Sequence, residues 1–241
     1  MNDGVTKMSP EHTTDAAREL WVFGYGSLMW RPGFPHVETH RARLAGFSRC
    51  FCVYSVHHRG RKGRPGIVLG LDRGGTCDGM VFRVPDEHAA STLAYLRERE
   101  LVYGVYRETW HEVSLLDDGG RIVRAVTYIA ERAHPSFAGR QPVGKLARLI
   151  RGAEGVSGPN IEYLVNTVRQ LTLMQADAGE LRRILSLISP YAATAGDGAA
   201  TRARCLAMMR HHNHTRRRRP PGPRITLERL NRFLFRMRIA S

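Results

Sequence analysis

Short apolar runs separated by turn residues fill the first half of the chain, and this pattern predicts β-strands. The run at residues 20–23 (LWVF) leads directly into a glycine-bearing turn at residues 24–27 (GYGS). Residues 117–120 (DDGG) have the composition of a hairpin turn between two further runs. We therefore expect strands over residues 20–23, 45–56, 66–71, 77–84, 109–116 and 122–129.

Apolar residues at helical spacing become dominant in the second half. The first predicted helix follows Pro85, takes Asp86 as its N-cap and continues through Leu93 and Leu96. Further helices are predicted over residues 143–151, from a start after Gly158 with Pro159 in the first turn, and over residues 178–188. Strands followed by helices indicate an α+β fold, built on a curved, largely antiparallel sheet or small mixed barrel flanked by helices.

The two ends of the chain differ from this central part. Residues 1–18 are polar and lack periodicity, so we expect a disordered leader, and we expect residues 19–190 to form one folded domain. Residues 191–241 run through Ala/Gly-rich sequence, then RRRR at 216–219 and PPGP at 220–223, which is typical of a linker and charged tail. The spacing of apolar residues over 225–239 is compatible with a short basic amphipathic helix.

Composition places the protein among globular proteins and locates its charge. Of the 241 residues, 42% are hydrophobic and 24% are charged, which excludes a wholly disordered or fibrous chain. The formal net charge is +15, and residues 192–241 carry +10 of it through twelve arginines against two acidic residues. A nucleic acid or another polyanion is therefore an expected partner only through the basic tail.

Further sequence features indicate the cellular compartment of the protein. No apolar run approaches the roughly 20 residues that span a bilayer, and residues 1–20 carry Asp3, Glu11 and Asp15 instead of an apolar signal core. We expect a cytoplasmic protein with no membrane partner. The four cysteines are too scattered for a disulfide framework, and Cys50 and Cys52 lie on one face of a predicted strand, where reduced cysteines pack as small hydrophobes.

The turn after the first strand is a candidate anion site. Gly24 and Gly26 allow unusual dihedral angles and a close approach of ligand to backbone, and successive N–H groups in such a turn form an anion-binding concavity. On glycine spacing alone, a tight turn without a ligand is the favoured explanation. The segment is neither a dinucleotide fingerprint nor a nucleophile elbow, because Met29 stands where each motif requires glycine.

Glu100 is the candidate catalytic carboxylate. With Leu93 set at zero and ~100° per residue, Glu100 falls near −20° whereas Glu98 falls near 140°. Glu100 therefore shares the apolar face of its helix, where a carboxylate must be neutralised, hydrogen-bonded or functional. A salt bridge to a core arginine, or a helix that ends before Glu100, would account for it without catalysis.

The other polar clusters are weaker candidates for a functional site. Residues 156–164 (VSGPNIEYL) are sufficiently explained as a helix start. His57 and His58 lack a third ligand at metal spacing, and Cys205 with the histidines at 211, 212 and 214 is equally incomplete as a zinc site. We expect no metal site.

Four segments in order resemble the ChaC-type, glutathione-specific members of the γ-glutamylcyclotransferase superfamily. The resemblance covers about residues 20–188, in the segments WVFGYGSLMW (21–30), HHRG with GRPG (57–60 and 63–66), YLRERE (95–100) and SGPNIEYL (157–164). After the glutamate at 100 the family pattern would continue Lys-Gly-Gly-Tyr. This chain has LVYGVY at 101–106, which leaves the alignment of the tyrosine open between neighbouring positions.

The resemblance implies a fold, a reaction and a site. It implies a small β-barrel flanked by helices, no metal or other cofactor, and conversion of glutathione to 5-oxoproline and Cys-Gly. It makes Glu100 the acid/base group. It assigns γ-glutamyl binding to Val22, Phe23, Gly24, Tyr25, Gly26, Ser27 and Leu28. Two alternatives stay open: a cyclotransferase acting on other γ-glutamyl amines, and a non-enzymatic nucleic-acid-binding protein that uses the basic tail.

Overall fold

Five strands close into a barrel in the computed structural model, which describes residues 19–188. They are β1 (Leu20–Gly24), β2 (Glu38–Ser55), β3 (Gly66–Val84), β4 (Tyr106–Leu115) and β5 (Ile122–Ala130). The order around the barrel is β1-β3-β2-β4-β5. β1 closes the ring by pairing in parallel with β5, and the other neighbours pair antiparallel.

Within residues 19–188, four helices flank the barrel. They are α1 (Ala89–Glu100), α2 (Val143–Arg151), α3 (Asn160–Leu173) and α4 (Gly179–Ile188), and a two-residue pairing of β6 (Glu154–Gly155) with β7 (Gly158–Pro159) precedes α3. The α+β class and the small, largely antiparallel barrel flanked by helices are confirmed. The bounds predicted for α2 are also those of the structure.

The second and third strands are much longer than predicted. β2 begins at Glu38 instead of at residue 45. The prediction missed its first part because Ala42 and Leu44 are buried between polar neighbours, and this alternation is a weaker sequence signal than a continuous apolar run. β3 continues through the stretch 72–76, which the sequence pattern separates into two strands. Gly74 and Gly75 have φ values of 92° and 78°, and the register with β2 shifts between Ala45 and Phe47. These glycines belong to an irregular, bent region inside a paired ladder rather than to a turn that ends it.

The start of the first helix also differs from the prediction. Asp86 lies in a 3-10 turn over Asp86–His88, and α1 begins only at Ala89. Asp86 makes no side-chain capping hydrogen bond, so the N-cap assignment is wrong. The acidic side chains of this turn nonetheless lie at the end of the helix where negative charge is favourable.

The core joins α1 to one side of the barrel. Leu96 of α1 is fully buried against Val22 of β1, Phe82 of β3 and Val126 of β5. This packing fixes the face that α1 presents to the barrel, and with it the position of the last residue of the helix, Glu100.

Several expectations lie outside the described residues. They are the disordered leader at 1–18, the linker and tail at 191–241 with its terminal helix, and the cluster of Cys205 with the histidines at 211–214.

Candidate active site

A cavity of about 360 Å³ opens at the end of β1. Its wall combines the turn after β1, the C-terminal end of α1, the start of β3, the start of β4 and the start of α3. The lining residues that bear on the chemistry are Tyr25, Gly26, Ser27, Leu28, Arg31, Arg59, Arg99, Glu100, Tyr103, Tyr106, Tyr128 and Tyr163. Two segments far apart in sequence, the glycine turn and the YLRERE helix end, therefore meet in one cavity.

Glu100 is the acidic residue in the wall of this cavity. It is the last residue of α1, and its side chain is 19% exposed. Glu98 is exposed and does not line the cavity. The placement agrees with the helical spacing, since Leu96 one turn earlier is buried in the core.

Arg99 connects Glu100 to the turn after β1. Its Nε lies 3.1 Å from Glu100 Oε1, and its Nη2 donates to Ser27 Oγ at 2.9 Å. Its Nη1 donates to the carbonyl oxygens of Arg31 and Pro32 and to Tyr95 Oη, at 2.9, 3.0 and 2.9 Å. The salt bridge that could account for Glu100 without catalysis is thus present, but it is made by the neighbouring residue at the cavity wall rather than by a core arginine.

Burial controls the ionisation of Glu100. Removal from water raises the pKa of this carboxyl above its ordinary value, and the adjacent Arg99 guanidinium opposes part of that rise. Such a carboxylate holds a proton more readily than an exposed glutamate does. It is therefore suited to accept a proton and to return it.

Tyrosine side chains surround Glu100 as neutral groups. Burial raises the pKa of Tyr25, Tyr106 and Tyr163, and the nearby Glu100 charge raises each of them further. Tyr25 Oη donates to the carbonyl of Tyr128, and Tyr106 Oη donates to the carbonyl of Leu69, both at 2.8 Å. These bonds fix two hydroxyl groups in the cavity wall.

Tyr163 approaches the glycine turn closely. A Cβ atom placed on Gly26 would lie 2.8 Å from Tyr163 Oη, so any larger residue at 26 would collide with this hydroxyl. Gly24 and Gly26 are not among the residues with positive φ. The absence of a side chain at Gly26 therefore allows a side chain from α3 to approach the turn closely.

The predicted γ-glutamyl-binding residues divide into two groups. Tyr25, Gly26, Ser27 and Leu28 line the cavity. Val22 and Phe23 are fully buried in β1, and Gly24 is the last residue of that strand, so these three do not line it. Substrate binding by the segment stays a prediction.

The backbone of the turn is held from behind by an arginine that sequence reasoning missed. Arg49 Nε donates to the carbonyl of Tyr25 at 2.7 Å, and its Nη2 donates to the carbonyl of Asp78. Immediately after the turn, Ser27–Met29 form a 3-10 helix. The first N–H groups of a helix lack partners within it, which leaves donors at this end of the turn.

The structure also separates the two tyrosines that the alignment left open. Tyr106 carries the hydroxyl fixed to Leu69, whereas Tyr103 is 48% exposed and packs its ring against His57 and His58. The buried position in the wall belongs to Tyr106. Arg31 and Arg59 also line the cavity. Arg59 belongs to the HHRG segment of the family resemblance, whereas no pattern in the sequence distinguished Arg31 from the other arginines.

The histidine pair makes local contacts. His58 Nδ1 lies 3.1 Å from Ser157 Oγ, and the His57 and His58 rings contact each other edge to face. Within residues 19–188, no three His, Cys, Asp or Glu side chains are grouped so as to hold a metal ion. None of the helices described for that range has the length and apolar character needed to cross a bilayer.

Comparison with known proteins gives a consistent family. A family model described as ChaC-like protein matches residues 20–189. The chain is 36% identical over 152 residues to the glutathione-specific γ-glutamylcyclotransferase of Escherichia coli K12, which is 63% of this chain and 65% of that protein. It is 34% identical over 173 residues to the human glutathione-specific γ-glutamylcyclotransferase 1, covering 70% of this chain and 78% of that one.

A solved structure shows the same fold. The crystal structure of the yeast γ-glutamyl cyclotransferase specific to glutathione superposes with a TM-score of 0.66 at 24% identity, and it covers 75% of this chain and 100% of that chain. The chain spans slightly less than two thirds of the E. coli relative.

Proposed function

This chain belongs to the ChaC-like family, and we propose that it is a γ-glutamylcyclotransferase that cleaves glutathione to 5-oxoproline and Cys-Gly. The observation that carries the proposal is the meeting of Glu100 with residues 25–28 in one cavity. Relatives named as glutathione-specific γ-glutamylcyclotransferases, from E. coli and human, support the choice of substrate.

The reaction needs no enzyme nucleophile. The α-amine of the γ-glutamyl unit attacks its own γ-carbonyl carbon, a C–N bond closes the five-membered lactam, and the amide bond to the cysteine nitrogen breaks. The α-ammonium gives up two protons in all, and the Cys-Gly amine that leaves takes up two. Holding the substrate in the folded, attacking shape is therefore the main task of the cavity, and such positioning contributes up to about 7–11 kcal/mol in favourable systems.

Glu100 transfers the protons. It accepts a proton from the ammonium, which frees the attacking amine, and it returns a proton to the departing nitrogen. Its raised pKa favours the first step, because a carboxylate that binds a proton more strongly is a better base. Arg99 acts as a positioning residue, since it touches Glu100 and the turn at the same time.

The turn and Tyr163 orient the γ-glutamyl group. N–H groups at residues 26–28 hold its α-carboxylate, as successive backbone donors do for anions elsewhere. The hydroxyl of Tyr163 makes no donated hydrogen bond within residues 19–188, and it lies against the turn at Gly26. It is the donor available to the γ-carbonyl oxygen, where negative charge develops during attack.

The location and the other partners are proposals as well. The free, buried thiols of Cys50, Cys52 and Cys77 suit the reducing cytoplasm, in which we place the reaction. Any nucleic acid or other polyanion would bind through the basic residues of the tail, which lie outside the described part of the chain.

The purified protein is expected to release 5-oxoproline and Cys-Gly from glutathione without added metal, and at the same rate in the presence of a chelator. Chromatography of timed reactions measures both products. Release only from other γ-glutamyl amines would favour the alternative cyclotransferase, and no release from either would contradict the proposed activity.

The pH dependence of kcat/KM follows from the environment of Glu100. The base must be ionised, so activity falls as pH is lowered through its pKa. Because burial raises that pKa above its ordinary value of 4.5, the acidic limb is expected at a pH above 4.5. Profiles between about pH 4 and 8 measure the limb, and the Glu98→Gln protein should retain it; a limb below 4.5 would contradict the assignment.

A further inference from the structure

Besides Arg99, two arginines line the cavity. Arg31 is exposed, whereas the Arg59 side chain is 12% exposed, and both belong to the cavity wall. The chemistry attributed to Glu100 and the turn does not use either of them.

Arg31 is fixed at its backbone and free at its side chain. Its N–H donates to the carbonyl of Ser27 at 3.0 Å, and its own carbonyl accepts from Arg99. Its guanidinium makes no hydrogen bond or ion pair with any residue in the range 19–188. The backbone thus holds an unpaired cation at the cavity.

Arg59 is oriented but not fully engaged. Its Nη1 donates to the carbonyl of Pro159 at 3.0 Å and lies 3.3 Å from Glu162 Oε2, and its guanidinium lies over the ring of Tyr163. Its Nε and Nη2 have no acceptor among the residues that the structure describes. The contacts of Nη1 hold the group in place while other N–H donors stay available.

The two guanidinium groups are close enough to affect each other. Burial lowers the pKa of Arg59, and the positive charge of Arg31 lowers it further, against the opposing effect of Glu162. Two cations held together without an anion are unfavourable, and a carboxylate between them relieves the repulsion.

The charges around the cavity leave a positive excess. Glu100 is paired with Arg99, and Glu162 is paired with Arg59, which leaves Arg31 without a partner in the described chain. Glutathione carries two carboxylates and one ammonium. The α-carboxylate and the ammonium belong to the reacting end near the turn and Glu100, so the glycine carboxylate is the anion that remains to be bound.

We propose that Arg31 and Arg59 form the binding site for the C-terminal carboxylate of the leaving dipeptide. The proposal rests on the proposed function and adds a basis for leaving-group specificity: the enzyme prefers γ-glutamyl peptides that end in a carboxylate near this position. Arg59 supplies the ordered donors beneath the site, and Arg31 closes it from the solvent side.

The test compares glutathione with glutathione amidated at its glycine carboxyl, using the full-length protein and its Arg31→Gln variant. Hydrogen bonds to a charged group are worth enough that the parent should favour the acid over the amide by about 10- to 100-fold in kcat/KM. Arg31→Gln should lower that preference to within a few-fold, through a higher KM for glutathione at nearly unchanged kcat. Arg31→Lys should restore part of the preference, because it keeps the charge.

Arg61→Gln is the matched control, since Arg61 is exposed nearby but does not line the cavity. It should behave as the parent does. Equal use of acid and amide by the parent would overturn the carboxylate site while leaving the cyclotransferase function intact. A loss of kcat on both substrates in Arg31→Gln would also overturn it, by assigning Arg31 a structural role. No turnover of glutathione by the parent would instead contradict the proposed function itself.

Discussion

Replacing Glu100 by glutamine is expected to lower the turnover of glutathione about 10²- to 10⁴-fold, the range typical of a positioned acid/base group. Glutamine keeps the shape and hydrogen-bonding capacity of the side chain but cannot exchange a proton at neutral pH. Steady-state kinetics measures the loss, and calorimetry measures glutathione binding, which should be largely retained because the turn and Arg59 are unchanged.

Folding does not account for the expected loss. Ionising Glu100 costs folded-state free energy, since its folded pKa is raised, so that contribution lowers stability as pH rises from the ordinary value of 4.5 through the raised one. The neutral glutamine avoids this cost. Arg99 retains its bonds to Ser27 Oγ and to two backbone carbonyls in the variant.

Glu98→Gln is the internal control for the same helix. Glu98 is exposed, and the geometry of α1 directs it away from the cavity. The variant should stay near parental activity. A Glu100→Gln protein that turns over normally, or a folded Glu98→Gln protein that does not, would show that the proton-transfer group has been misassigned.

Helical periodicity was sufficient to predict which way Glu100 faces, because the orientation of α1 alone decides it. The burial of Leu96 fixes which side of α1 faces the barrel, and the residue four positions later must follow. The same reasoning failed for β3, since Gly74 and Gly75 are compatible with either a turn or a bent strand. The pairing with β2, a segment over twenty residues away, decides between them.

The rest of the site depends on contacts between distant segments. Arg49 of β2 reaches the carbonyl of Tyr25 past the intervening strand β3, and Tyr163 of α3 lies against Gly26. In the sequence Arg49 is one of many arginines, and Tyr163 belongs to a segment that a helix start explains. The family resemblance marks such segments as important, but it does not state which atoms meet.

Asn160 shows how a residue without a predicted role positions the site, and Asn160→Ala is expected to destabilise the protein by about 2–5 kcal/mol. The residue is fully buried at the start of α3. Its Oδ1 accepts from the N–H of Ile67 at 2.7 Å, and its Nδ2 donates to the carbonyl of Ile67 at 2.9 Å. Alanine leaves both backbone groups buried without partners, which costs much more than the loss of an exposed hydrogen bond.

The expected destabilisation corresponds to a fall in melting temperature of about 5–15 °C, measurable by calorimetry. Asn166→Ala is the matched control: it makes the same change on the same helix, where the side chain is half-buried and makes no hydrogen bond within residues 19–188. It should melt close to the parent. Because Tyr163 lies one turn after Asn160, loosening this anchor should also lower kcat/KM at temperatures where the variant is still folded. Equal melting temperatures for the two variants would show that the Asn160 pairing with β3 does not hold α3, and with it Tyr163, against the barrel.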